Sequence, residues 1–257
     1  MLKLTAAKEL AKSYGFSSLI TEPTANAKLA KSVGFYNAGI SLAQSRLSGY
    51  NVCKASTAKC RGGCLGGTGR AEFTPIIEQV RIARTKCLFE APAAFRAILE
   101  AELAKVDRAA KRLNVEVAFR PNILSDIDWP MWLFDSFPNW RFYSYTKLKS
   151  KVRKWLDGEL PANYHVTYSW SERAELSYVQ DIVASGVNVA VPFYNAKTLE
   201  PGIPTEWNGM RVIDGDESDL RFLDPSGVIV GLKVKLPKRK TERIKRIKKS
   251  KGFFVGF

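Results

Sequence analysis

The chain has 257 residues, of which 46% are hydrophobic and 11% aromatic, and its formal net charge is +15. This composition is typical of a globular protein with a substantial core and excludes a chain that is disordered throughout. No apolar run is long enough to span a bilayer, so we expect no membrane partner. The first residues lack the apolar stretch of a signal peptide, which indicates a cytoplasmic protein.

Hydrophobic spacing predicts helices first and then strands alternating with helices. A short helix is expected at 5–15, and Thr74 with Pro75 predicts the start of a helix whose apolar face runs from Ile76 to Cys87. Strands are predicted at 35–43, 115–122, 141–147, 163–172, 187–193, 209–217 and 227–236. This order indicates an α/β fold with a mainly parallel sheet, arranged as a complete or partial (βα) barrel.

The predicted division has three parts: an N-terminal helix and connector (1–25), a barrel-like α/β domain (26–236) and a basic C-terminal tail (237–257). The stretch 233–251 holds eleven Lys or Arg and one Glu, which accounts for +10 of the net charge. Such a run either keeps the chain soluble, contacts nucleic-acid phosphates or is attracted to a membrane surface. Phosphate contact would be insensitive to base sequence. The predicted phosphate contacts are Lys238, Arg239, Lys240, Arg243, Lys245, Arg246, Lys248, Lys249 and Lys251.

Three cysteines, Cys53, Cys60 and Cys64, occupy one glycine-rich loop after the first predicted strand. In a reducing compartment such a group indicates metal binding more often than a disulfide. A [4Fe–4S] cluster, a structural zinc ion completed by Cys87 or His165, and three free thiols all remain open. Cys87 lies on an apolar helix face and His165 inside a strand, so we expect both to be structural.

Polar residues follow the predicted strands, and in barrels and open α/β sheets the carboxyl ends of the strands carry the active site. The predicted catalytic residues are Asp126, Tyr145, Lys147 and Glu172, and the predicted cofactor pocket includes Asn122, Ser125 and Ser169. Loops are polar in any case, so each group also has a structural interpretation.

Four carboxylates crowd one turn, at Asp214, Asp216, Glu217 and Asp219. Their oxygens would suit Mg²⁺, Ca²⁺ or the amines of a substrate. A hydrogen-bonded turn that caps the next segment explains them equally well.

The order of strand, three-cysteine loop and helix resembles the opening of a radical S-adenosylmethionine barrel. In that family three cysteines hold a [4Fe–4S] cluster whose open iron binds the cofactor. The segment GVIVG, from Gly227 to Gly231, is similar to a Gly-x-Ile-x-Gly strand that lies near the adenine. The spacing C-x6-C-x3-C departs from the family's C-x3-C-x2-C, and RPNILSD stands where its Gly-Gly-Glu is expected. The resemblance implies S-adenosylmethionine as a cofactor.

The chain as a whole resembles a bacteriophage family called gene product 88. The resemblance covers roughly residues 26–236 and rests on SGYNVCKAS, FRPNILSDIDW, FYSYTK, NYHVTYSWSE, NVAVPF and VIDGDESDLRFLDPSGVIVGLK. It implies a phage-encoded protein that acts in the cytoplasm of an infected bacterium, and it implies no particular activity.

These observations favour a radical-SAM-like iron–sulfur enzyme that modifies nucleic acid or nucleotides, with the basic tail supplying affinity. A non-enzymatic, metal-stabilised nucleic-acid-binding protein is the alternative. A phage structural or interaction protein is a third possibility.

Overall fold

The computed structural model describes residues 3–23, 34–67, 74–237 and 239–257. The chain divides into two compact units. The first comprises Met1–Lys54 and Gly66–Ser144, and the second comprises Ala55–Leu65 and Tyr145–Phe257. These boundaries differ from the positions 25 and 236 suggested by the sequence, because the cysteine loop is shared between the units and the basic run belongs to the second.

The described residues form α1 (Leu4–Tyr14), α2 (Ala58–Gly62), α3 (Pro75–Glu90), α4 (Pro92–Leu113), α5 (Trp132–Asp135), α6 (Lys149–Leu156), α7 (Leu176–Ala184) and α8 (Lys240–Lys249). The strands are β1 (Ile20–Thr21), β2 (Phe35–Ile40), β3 (Glu116–Arg120), β4 (Arg141–Thr146), β5 (Tyr164–Ser169), β6 (Val189–Tyr194), β7 (Glu206–Trp207), β8 (Met210–Asp214), β9 (Ile229–Lys233) and β10 (Val255–Gly256). All seven predicted strands form. None of these helices has the length and apolar character needed to cross a bilayer.

The first unit contains β1, β2, β3 and β4 in that spatial order, with β1 antiparallel to β2 and the remaining pairs parallel. Its core includes one face of α4, formed by Phe95, Ile98, Leu99, Leu103 and Val106. On α3 the predicted face is confirmed at its end, where Cys87 is fully buried. It is wrong at its start, where Ile76 is 57% exposed in the first turn.

The second unit contains the order β5-β6-β9-β8-β7, which is parallel except for the β7–β8 pair. In this order β9 lies next to β6, although β8 comes first in the chain. The alternation of strands and helices in the sequence, which is regular up to β6, does not predict this exchange. Neither unit's strand order closes on itself. The α/β class is therefore confirmed, and the predicted barrel is not.

The carboxyl end of β6 has the chain terminus as its neighbour. Strand β5 pairs with the start of β6, where Tyr168 lies opposite Val189, and β10 pairs in parallel with its end, where Val255 lies opposite Phe193. The last residues of the chain are therefore part of the second unit's sheet.

A buried arginine organises the acidic turn. Arg221 is 1% exposed, and its guanidinium lies 3.2 Å from the carboxylate of Asp224 and donates to the carbonyl of Ser218. Burial raises the pKa of Asp224 to about 6. On β5, burial and the nearby Arg221 charge lower the pKa of His165 to about 4, so the imidazole is neutral at pH 7.

Replacing the buried guanidinium tests its structural role. We expect Arg221→Met to lower the free energy of unfolding by about 3–5 kcal/mol, because Asp224 would remain buried without its cation. Urea denaturation measures the change. Arg153→Met is the matched control, since Arg153 pairs with Asp157 but its side chain is 81% exposed. A loss no larger than that of the control would contradict the assignment.

The two shifted groups predict opposite pH dependences. His165 has a pKa of about 4 when folded, against an ordinary value of 6.5, so its contribution to stability is lost as the pH falls from 6.5 towards 4. Asp224, with a folded pKa of about 6 against 3.8, destabilises the fold as the pH rises from 4 to 6. Between pH 7 and pH 4.5, the free energy of unfolding of His165→Gln should fall by about 2 kcal/mol less than that of the unsubstituted protein. Over the same pH range, the free energy of unfolding of Asp224→Asn should fall by more than that of the unsubstituted protein. Urea titrations measure both changes, and pH profiles unchanged by the substitutions would refute both assignments.

Candidate functional site

The second unit contains two of the three loop cysteines, on and just after the short helix α2. Thr57 caps this helix: its hydroxyl accepts a 3.0 Å hydrogen bond from the backbone N–H of Cys60. The threonine side chain is buried, whereas the Cys60 and Cys64 thiols are half-buried and not joined in a disulfide. The cap satisfies a backbone N–H in the first turn and stabilises the start of α2.

Three ionisable side chains interact with that of Cys60. Burial raises the pKa of the Cys60 thiol above its usual value, and the neighbouring Cys64 and Glu172 raise it further. The Lys147 ammonium acts in the opposite direction because it stabilises the thiolate. A thiol, a carboxylate and an ammonium therefore lie within electrostatic reach of one another, and we call Cys60, Cys64, Lys147 and Glu172 the thiol cluster.

Lys147 connects the ends of two strands. It follows β4, and its ammonium donates to the Ser169 hydroxyl at 2.6 Å and to the Trp170 carbonyl at 2.7 Å, both at the end of β5. The structure thus brings together three residues that the sequence placed at strand ends, Lys147, Ser169 and Glu172. Tyr145 is partly buried at the end of β4.

The basic helix α8 packs against α2. Arg246 donates hydrogen bonds to the carbonyls of Cys64 at 3.1 Å and Gly63 at 3.4 Å. Gly62 allows this close approach of α8, because a Cβ there would lie 2.9 Å from the Lys249 side chain. The contact fixes the backbone of the cysteine loop.

Residues 250–257, which we call the strap, continue from α8. The Trp170 indole donates to the carbonyl of Gly252 at 2.8 Å, and the Lys147 ammonium lies 4.8 Å from the centre of the Phe253 ring. At the chain end, Phe257 donates its N–H to the Tyr194 carbonyl. The strap therefore lies on the thiol cluster and on the carboxyl ends of β5 and β6.

The remaining predicted pocket residues lie in the first unit and organise the loop after β3. The Asn122 amide oxygen accepts from the Ser125 hydroxyl at 2.7 Å and from the Trp129 indole at 3.2 Å. Asp126 forms a parallel bridge with Cys53, whose thiol donates to the Leu124 carbonyl at 3.4 Å. These contacts give Asn122 and Ser125 a structural role in holding the loop.

Among the residues that the structure describes, the three loop cysteines are not assembled into a set of metal ligands. Cys53 belongs to the first unit, and Cys60 and Cys64 belong to the second. Within the described ranges, no three Cys, His, Asp or Glu side chains form a group that could hold a metal ion. Neither Cys87 nor His165, the suggested fourth zinc ligands, belongs to such a group with the loop cysteines. The iron–sulfur cluster, zinc and S-adenosylmethionine stay predictions.

The acidic turn has partners within the second unit. Asp214 pairs with the Lys233 ammonium at 2.8 Å, and Asp216 accepts from the Lys233 N–H at 3.0 Å and lies 3.7 Å from Lys235. Asp219 is buried beside the Arg221 site, and Glu217 is exposed. The turn thus has a structural explanation, and we propose no metal site in it.

The two glycines of GVIVG also have local explanations. Gly227 has a φ of +70°, a conformation that favours glycine, in the turn before β9. A Cβ on Gly231 would lie 2.5 Å from the Ile203 side chain and 2.9 Å from that of Val212. Packing inside the unit accounts for both residues without an adenine.

The predicted phosphate contacts separate into two groups. Arg243 pairs with Glu200, and Arg246 holds the cysteine loop, so both point into the second unit. The exposed cations are Arg239, Lys240, Lys245, Lys248, Lys249 and Lys251. Lys238 lies outside the described residues. We call the six exposed cations the cationic face.

Some residues of the site were not predicted from the sequence. Thr57, three positions before Cys60, carries a recognisable capping signal. Arg246 was predicted only as a phosphate contact, whereas it bonds to the cysteine loop. Gly252 and Phe253 act through contacts between distant parts of the chain, for which a single sequence offers no signal.

Comparison with known proteins agrees with the second resemblance only. No curated protein and no solved structure matches the chain. The radical S-adenosylmethionine resemblance therefore has no support from these comparisons. The signature of the family described as Gene product 88 matches residues 18–249, which is most of the chain. The chain belongs to the Gene product 88 family of bacteriophages.

Proposed function

We propose that this protein binds nucleic acid inside the infected bacterium through the cationic face of α8. The observation that carries the proposal is that the basic run is a folded helix with one docked side and one charged side. Ile247 and Ser250 are buried on the docked side. The exposed cations other than Lys245, which pairs with Glu242, remain available for phosphates.

A docked helix suits phosphate binding better than a loose tail would. Its cations are held near one another before binding, so less conformational freedom is lost when a strand is engaged. Only one acid, Glu242, lies on α8, where it pairs with Lys245 at 2.9 Å. The face therefore presents a positive field, and its binding should depend steeply on salt and weakly on sequence.

The position of the face suggests what the binding serves. Arg246, on the docked side of α8, bonds directly to the carbonyl of Cys64. A strand held on the cationic face would run close to the thiol cluster. This placement supports the hypothesis of an enzyme that acts on the bound nucleic acid.

The proposal is tested by anisotropy titrations of a fluorescent 20-nucleotide single strand and the matching duplex at several salt concentrations. In the triple variant Lys240→Gln, Lys248→Gln, Lys249→Gln we expect at least tenfold weaker binding at low salt. The slope of log affinity against log salt should shrink by about 2 on single strands, because each phosphate contact contributes about 0.7.

The matched control removes three exposed cations from α4 instead, with Lys105→Gln, Arg108→Gln and Arg112→Gln. It lowers the net charge equally and should leave most of the affinity intact. The proposal fails if the unsubstituted protein shows no salt-dependent binding, or if the control loses as much affinity as the α8 variant.

The metal prediction has a separate test on protein purified without oxygen. A cluster held by Cys53, Cys60 and Cys64 predicts about four iron and four sulfide per chain. Cys60→Ser should lose them, whereas Cys87→Ser should retain them because Cys87 is buried in the apolar core of the first unit. Protein with neither iron, sulfide nor zinc would refute every metal interpretation of the loop.

A further inference from the structure

The strap covers side chains of the kind used in nucleophilic and acid–base chemistry. The thiol cluster supplies a thiol, a carboxylate and an ammonium. Gly252 lies against the Glu172 side chain, and Phe253 lies against Lys147. A ligand approaching these groups at the carboxyl end of β5 would meet the strap first.

The closed strap leaves two polar atoms poorly compensated. The Ser250 hydroxyl and one carboxylate oxygen of Glu172 are buried, and neither has a hydrogen-bond partner among the described residues. Leaving a buried polar atom unpaired opposes the closed state, and opening would return the Glu172 oxygen to solvent. A buried polar atom without a partner calls for an explanation, such as strain or a functional role.

The strap also has a defined latch. Within the described ranges, one side-chain hydrogen bond holds its middle, from the Trp170 indole to the carbonyl of Gly252. Gly252 has a φ of +90°, and a Cβ at this position would lie 3.0 Å from the Cβ of Glu172. Only glycine permits this close contact without strain.

We propose that the strap is a movable cover that lifts at the Gly252 latch to admit a ligand to the thiol cluster. The hinge lies at Ser250, where α8 ends, and β10 reseats the strap beside β6. The proposal does not depend on nucleic-acid binding, because closure rests on contacts within the second unit.

The test is the rate at which iodoacetamide alkylates Cys60 in the native protein, followed by peptide mass mapping. Trp170→Phe keeps an aromatic ring but removes the latch hydrogen bond, and Gly252→Ala adds the clashing methyl group. Each should raise the rate at Cys60 by roughly fivefold, the effect of losing about one hydrogen bond.

Two controls match these variants. Trp155→Phe also removes one indole bond to a carbonyl, that of Tyr164, away from the strap. Gly209→Ala places alanine at a φ of +78° where no atom lies within 4 Å. Both controls should leave the rate at Cys60 unchanged. Rates in the strap variants equal to those of the controls would overturn the proposal.

Hydrogen exchange of the unsubstituted protein keeps the proposal testable if a variant does not fold. The Phe257 amide, bonded to the Tyr194 carbonyl, should exchange at least tenfold faster than the Val189 amide, bonded to the Val228 carbonyl. Equal protection of the two amides would show that the strap opens only with the whole unit, and would refute it.

Discussion

One guanidinium group determines how the second unit is completed. Arg246 donates to two carbonyls of the cysteine loop, and this bond fixes α8 against α2. The strap that follows α8 lies on the carboxyl ends of β5 and β6, where β10 pairs. Arg246 thus connects the basic helix to the loop that contains Cys64. A charge-assisted hydrogen bond to a buried carbonyl is strong enough for this role, whereas an exposed ion pair contributes little.

The basic run shows why charge and fold have to be considered separately. Its composition predicts a solvated or phosphate-binding tail, because so many like charges repel one another. The helix resolves this conflict because Ile247, Arg243 and Arg246 face the second unit, where both arginines have partners. The other cations face outward. Arginine suits the inward positions because its planar fork can bond two acceptors at once. The spacing of Ile244 and Ile247 contains this signal, but the charge of the run obscures it.

Local patterns predicted the elements better than their arrangement. All seven strands and the buried stripe of α4 follow from apolar periodicity, which is set by neighbours along the chain. The order β6-β9-β8 and the pairing of β10 depend instead on contacts between distant segments. The same limit applies to the site: strand ends pointed to Lys147, Ser169 and Glu172, but nothing in the sequence joined them to Trp170 or Gly252. The acidic turn was ambiguous because its buried partner, Arg221, could not be distinguished from a surface arginine.

The thiol cluster and the cationic face are linked by the same few residues, and this constrains how the protein can act. Any force on α8 is transmitted to the cysteine loop through Arg246 and to the strap through Ser250, since both lie at its carboxyl end. The strap, in turn, is ordered by few buried side chains, chiefly Phe254, while each of its residues loses conformational freedom on closing. A segment with so narrow a balance responds to small changes at its ends. If α8 binds a polyanion as proposed, we expect the first effect to fall on the strap rather than on the sheet beneath it.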